Sequence, residues 1–302
     1  MKQSVFHRIK RDRVFLLLLL PALLHYLLFR YVPMFGIVVS FMDYNLFKGI
    51  WHSPWVGLKY YRMFFSNPDA WNIVRNTLLL GLYKFVIAFP APIVLAILFY
   101  EMRWKKFRRF VQSVSYLPFF LSSVVLSSIM LMLLSPSTGW VGKAMQTLGL
   151  EPINFLQKPE WFRTIYIGSD IWQQAGYGTI IFLAALAAID PQLYEAARMD
   201  GANRWKQTLH VTIPGIVPAI VIMFILSIGG ILEVPFDKAF LLGNAGNRDT
   251  ADIISTYVYR IGILGGGFSY ATAINLSIAV VSLTFIYTAN KVSRKVGETS
   301  LW

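Results

Sequence analysis

The sequence predicts an all-α, polytopic membrane protein with six transmembrane helices, and three observations carry that reading. Of 302 residues, 56% are hydrophobic and 14% charged, with a mean hydropathy of +0.54. Soluble domains carry about 25% charged residues, so this much apolar surface exceeds what one soluble core hides. Six apolar segments are each long enough to cross the hydrocarbon layer, which takes about 20 helical residues. Finally, Lys and Arg concentrate in alternate connections between those segments.

The six spans fall at Val14–Val39, Asn76–Tyr100, Phe110–Leu134, Ile165–Ile189, Gly215–Val234 and Tyr270–Asn290. Pro21, Pro90 and Pro92 lie inside them, which a membrane helix tolerates when neighbours or local adjustments satisfy the freed carbonyls. Span one opens on Lys10-Arg11-Asp12-Arg13, the outline of a secretory leader. Its apolar character continues past Phe29 without a small-x-small cleavage site, so it reads as a retained span. Arg30 lies about 24 Å along a helix from Val14, where it can snorkel to the outer headgroups.

Orientation follows from the basic residues, because short cytoplasmic connections are enriched in Lys and Arg. The flanks Lys2–Arg13, Arg103–Arg109, Arg198–Lys206 and Lys291–Lys295 hold sixteen, against nine on the alternate flanks. Both termini are therefore expected inside, with a cytoplasmic segment 1–13, a membrane domain 14–290 and a cytoplasmic tail 291–302. The net charge of +13 is thus a topology signal and not a footprint for nucleic acid. With no Cys, disulfides, thiolate metal sites and Cys nucleophiles are excluded.

The three outer connections differ in character. Asp43–Trp71 is aromatic (Tyr44, Phe47, Trp51 and Trp55 among others), as expected at a membrane interface or docking surface. Leu134–Arg163 is punctuated by Pro136, Gly139, Pro152 and Pro159. Val234–Phe268 contains Gly243–Asn247 and Gly265–Gly267, which read as turns or mobile loops.

The most informative stretch is the polar connection after span four, residues 190–214. Asp190 can cap a helix that Pro191 starts without losing a needed donor. Leu193, Ala196 and Ala197 then recur at helical spacing, and Gly201 suits the left-handed conformation that ends such a helix. Asn203–Thr212 can form a second helix, until Pro214 prevents simple continuation. The bland alternative is an amphipathic connector on the headgroups; the acidic Asp190, Glu195 and Asp200 oppose contact with anionic lipid.

Glu195-Ala196-Ala197, two residues, Asp200-Gly201-Ala202, eleven residues, then Pro214 closely resembles the EAA loop of binding-protein-dependent ABC importer permeases. Weaker pieces resemble the carbohydrate branch, in particular lipoprotein-linked polysaccharide and oligosaccharide permeases. These are Tyr31–Gly36 with Phe41, Trp55–Leu58, Asn76-Thr77-Leu78, Tyr116-Leu117-Pro118, Ile171-Trp172 and Ile213-Pro214-Gly215. The resemblance implies a type I importer: two permease subunits, usually different chains in this branch, two ATPase subunits that hold ATP and Mg, and an external solute-binding protein. It implies that Glu195 is the polar anchor to the ATPase and Gly201 the turn. Ala196, Ala197 and Ala202 become close-packing positions, and Trp205, where the family often carries Phe, an aromatic plug.

Elsewhere the chain offers little chemistry. Gly139–Ala144 lacks the first Gly and the Ser/Thr of a phosphate-binding loop, so the chain is not expected to hydrolyse ATP. His7, His25, His52 and His210 are scattered, and no metal site is predicted. Gly262-x-x-x-Gly266 reads as loop flexibility. Polar residues within spans are the pathway candidates, since burying them in lipid is costly. These are Asp170, Trp172, Gln173, Gln174 and Tyr177 opening span four, Glu233 and Asp237 closing span five, and Asn275 in span six. Lys84, inside span two, can either line a cavity or snorkel. Helix–helix hydrogen bonding is the alternative for each. A stand-alone secondary transporter would have no use for the 190–214 element, and a membrane enzyme lacks a nucleophile–base constellation.

Overall fold

The computed structural model of the chain describes residues 13–229, 231 and 234–296. These are helical apart from turns and one isolated bridge between Met42 and Trp55. The chain divides into two units, one formed by residues 13–67 with Val258–Ser277, the other by Pro68–Tyr257 with residues 278–296.

In the first unit, span one is a continuous helix from Arg13 to Phe41. Its residues 13–35 are all exposed, as an unpartnered Leu-rich helix facing lipid would be. The chain then folds back on itself, with the Phe41 and Trp55 rings stacked at 5.7 Å. Asp43 accepts from Tyr60 Oη at 2.7 Å and from Lys59 Nζ at 3.3 Å. The Tyr60 bond, then the lysine, holds the Asp43 carboxyl below the usual range; burial and that same bond push Tyr60 up to about 12. Gly262, expected in a flexible loop, is instead helical, and a Cβ there would press on Ala271. Gly266, at φ +71°, is the turn.

In the second unit, span two is a single helix, Pro68–Glu101, and span four another, Pro159–Ala187. Leu80, Phe162, Tyr166 and Ile167 anchor one buried cluster between them, joined by Leu242 and Ile253. Ala96, Phe182, Leu186 and Ile216 form a second. Close approach requires glycine at two positions, since a Cβ on Gly81 would strike the Ile231 carbonyl and one on Gly176 the Ser115 carbonyl.

Two expectations are corrected here. Span three is not one helix: Lys105–Phe120 and Ser123–Leu133 meet at 103°. Pro118 tightens the first into a 3₁₀ turn, Leu121 is extended, and Ser122 caps the second by accepting from the Val125 amide. Nor does Pro214 stop its helix, which runs from Arg204 to Ile228. A π-helical turn at Thr208–Thr212 lets Ile213 N–H donate to the Thr208 carbonyl, one residue further back than an α-helix allows. Leu27–Tyr31 before Pro33 and Lys84–Ala88 before Pro90 repeat the arrangement. A proline in a helix clashes with the carbonyl four residues earlier, and a widened turn just before it relieves that conflict.

The connection after span five forms turns, as one of the two readings had it, and is fastened by asparagines. Asn247 is 1% exposed and donates to the carbonyls of Leu156 and Leu242. Asn76 donates to the carbonyls of Asp249 and Asp252 while accepting from Arg163 at 2.9 Å. Thr77 Oγ1 accepts from the Ile254 amide. The Asn76-Thr77 pair at the entrance to span two thus fastens this loop to the helices.

Candidate functional site

The polar connection at 190–214 forms a compact elbow, turned 70° from span four. Asp190 Oδ1 accepts from the Gln192 amide at 2.9 Å and Pro191 opens the helix Pro191–Met199. At its far end Gly201 adopts φ +75°, and the Ala202 amide donates to the Ala197 carbonyl at 2.9 Å. No atom lies near a Cβ built on Gly201, so its requirement is conformational and not steric. Asn203 then caps the next helix by accepting from the Lys206 amide, and Gln207 Nε2 closes the turn on the Ala202 carbonyl at 2.7 Å.

The elbow has an inner and an outer side. Inside, Tyr194 is buried, and its hydroxyl stands 3.0 Å from Thr212 Oγ1, within the π turn. Burial raises its phenol above the ordinary range. Arg204 pairs with Glu101, at the end of span two, at 3.2 Å. Outside lie Glu195, Ala196, Asp200, Gly201, Trp205 and Pro214, all exposed, with Ala197 and Ala202 half-buried. Leu193, Met199 at 88% exposure and Trp205 at 70% place three large apolar side chains on the same short element. An adjoining open cavity of about 810 Å³ is lined by Arg103, Arg108, Arg198 and Glu195 among others. The sequence reading placed Leu193 on the elbow helix face but did not single out Tyr194 or Met199; their spacing on that helix was the available signal.

A second cavity, about 470 Å³, lies between spans two, four and five. Asp170, Gln174 and Tyr177 are in its wall, with Lys84, Phe85, Phe89, Pro92 and Ser227. The proposed set therefore divides. Gln173 is turned away, its amide donating 2.9 Å to the Leu121 carbonyl that the break in span three leaves free. Trp172 is exposed but not in the wall, and Asn275 is exposed on the first unit. Glu233 lies outside the described residues. Tyr177 stacks on Phe119 with centroids 3.8 Å apart.

Asp170 is the electrostatic centre of this region. Its Oδ1 accepts from Lys238 Nζ at 2.9 Å, and its Oδ2 lies 4.0 Å from Lys84 Nζ. Lys238 is 3% exposed and also sits 5.4 Å from the Tyr166 ring centroid. The sequence reading missed Lys238, although a carboxylate at membrane depth demands a cationic partner. Lys84 takes the cavity-lining alternative.

Helices long and apolar enough to cross a membrane, packed around a cavity and joined by a polar elbow, define the class as a polytopic membrane protein. Residues 88–295 match the family described as "Binding-protein-dependent transport system inner membrane component", and the chain belongs to it. It is 44% identical to the polygalacturonan/rhamnogalacturonan transport system permease protein YteP of Bacillus subtilis, over 99% of this chain and 96% of that one. Protein LplB of the same organism is 42% identical, over 97% and 92%. Among solved structures, a chain of a bacterial alginate ABC transporter, crystallised with an alginate pentasaccharide-bound periplasmic protein, superposes with a TM-score of 0.92. It is 38% identical, with 99% of this chain and all of that one covered.

Proposed function

We propose that this chain is one permease subunit of an ATP-binding-cassette importer that takes up oligosaccharides. The full-length match to YteP carries the reading, because it runs through both the elbow and the helices of the cavity. That relative is named for polygalacturonan and rhamnogalacturonan and the solved transporter for alginate, all of them polysaccharides. A second permease subunit, a different chain, completes the pathway; two ATPase subunits bind ATP and Mg, and an extracytoplasmic solute-binding protein delivers the sugar. ATP hydrolysis belongs to those partners.

In this reading both termini face the cytoplasm of a prokaryotic cell, and the elbow docks into the ATPase. Glu195 and Asp200 supply charge-assisted contacts, and Leu193, Met199 and Trp205 supply apolar ones. The bonds of Tyr194 and Gln207 make the elbow stiff, so that movement imposed on its outer side is passed to spans four and five. A few kcal/mol of differential contact suffices to move such an equilibrium from one side to the other. Asp170, Gln174 and Tyr177 line the sugar path, and Gln173 shapes it by holding the bend at Leu121.

The test is purification of the tagged chain from native membranes followed by sugar-uptake and ATPase assays on the reconstituted assembly. An ATPase subunit should come with it, and Glu195→Lys with Trp205→Ala should release that subunit while leaving the chain in the membrane. A chain that transports alone, with no ATPase attached, overturns the reading.

A further inference from the structure

We infer that Lys84 is the charge-selecting contact of the cavity and that the sugar it receives carries a carboxylate. The inference rests on the sugar-permease reading and adds the charge of the substrate. Lys84 sits at the middle of the 34-residue helix Pro68–Glu101, the most expensive place in a bilayer for an ammonium group. There it opens the π turn Lys84–Ala88 and lines the cavity with 42% of its side chain exposed.

Asp170 is shared between two lysines and so offsets this charge only in part. Its close partner is the buried Lys238, which donates to it at 2.9 Å; Lys84 stands at 4.0 Å, beyond hydrogen-bond range. Two lysines therefore share one carboxylate. The excess positive charge faces the cavity, where Lys84 and Asp170 are the charged groups of the wall among the described residues. Asp170 tethers Lys84 without occupying its protons.

The rest of the wall indicates which anion is received. Phe85, Phe89 and Tyr177 present ring faces, and Gln174 an amide, a combination suited to the apolar face and hydroxyls of a sugar ring. One lysine matches one negative charge. A phosphate would leave its second charge unbalanced, and among the described residues no arginine fork is in the wall to meet it. The mid-helix position places the group far from lipid headgroups. A single flexible ammonium also releases its ligand readily, as conduction requires.

The experiment uses the complete importer in proteoliposomes with its binding protein, and compares tetragalacturonate with its fully methyl-esterified, neutral form. Uptake is normalised to assembled complex. Lys84→Gln should lower tetragalacturonate uptake at least tenfold and leave uptake of the ester within twofold, while Lys84→Arg should retain at least a third of acid uptake. Unchanged acid uptake in Lys84→Gln overturns the inference. So does an equal loss for both probes in both variants, which would make Lys84 structural. A wild-type importer that takes the ester or neutral maltotetraose but not the acid overturns the charge assignment and leaves the sugar reading standing. One that imports neither probe, nor neutral maltotetraose, removes the sugar reading itself.

Discussion

Lys238 donates to Asp170 across 2.9 Å, and both side chains are almost wholly excluded from solvent. A buried pair of this kind adds little net stability, but removing one partner strands the other charge, at a cost of about 3–5 kcal/mol. Asp170→Asn strands Lys238 and should lower thermal stability in detergent sharply, while Lys238→Met leaves Asp170 with Lys84 at 4.0 Å and should lower it less. The double variant Asp170→Asn, Lys238→Met should recover much of the loss. Additive losses, with no recovery, would show that the two groups do not act as a pair.

Gly201 separates conformation from contact, because it is held at φ +75° with open space around its Cβ position. An L-residue in the left-handed region costs about 1–2 kcal/mol, and here the cost is confined to the elbow. Gly201→Ala should leave membrane insertion and global melting unchanged but weaken ATPase coupling. Gly201→Asn should be milder, since Asn tolerates this region. Equal coupling in wild type and Gly201→Ala would remove the turn from the mechanism.

Such features were legible because they are local. Asp190-Pro191 as a helix start and Gly201 as a turn depend on neighbouring residues only, and the apolar runs announce spans by length alone. The bend in span three was hidden because Pro118 and Ser122 lie in a segment apolar enough overall to read as one span, and the Leu121 carbonyl is satisfied by Gln173, 52 positions away. Pro214 misled for a related reason: a π turn absorbs the conflict, and no residue pattern announces it. Gln173 and Gln174 are adjacent in sequence, yet one closes a structural bond and the other lines a cavity. Only the packing of span four separates them.

Topology can be read with single cysteines, because the native count is 0. Asn247, at the tip of its loop in sequence, is unsuitable because it is buried and bonded. Ala245 and Lys206 are exposed. Ala245→Cys should react with an impermeant maleimide added outside intact cells, and Lys206→Cys only after the membrane is opened. The reverse pattern would overturn the charge-based orientation.

The Asp43–Tyr60 bond predicts an acid limit for the first outer loop. Asp43 titrates below its unfolded value of 3.8, so its contribution to stability is complete above 3.8 and is lost as pH falls through the lowered value. Hydrogen exchange of residues 43–60, corrected for intrinsic rate, should accelerate in that window. Tyr60→Phe removes the largest cause of the shift and should move the onset upward. An onset unaffected by Tyr60→Phe would show that the bond is not what holds this loop.

Tyr194 and Thr212 join the two helices of the elbow through a bond of 3.0 Å, at the π turn that precedes Pro214. Tyr194 also packs its ring near Tyr100 at the end of span two, with centroids 6.3 Å apart. The phenol therefore links the elbow helix Pro191–Met199 to the start of the span-five helix and to span two. Tyr194→Phe keeps the ring and removes one hydrogen bond, worth about 1 kcal/mol. It should slacken the elbow without unfolding the membrane domain. The expected result is an ATPase that still binds and hydrolyses ATP, with fewer sugars imported per ATP. Thr212→Val should reproduce the effect, and the double variant should be no worse than either single one if the two side chains act through their mutual bond. Stoichiometry of uptake to hydrolysis in proteoliposomes measures this directly; a wild-type ratio in both single variants would place the transmission of movement elsewhere, with the Arg204–Glu101 pair as the next contact to break.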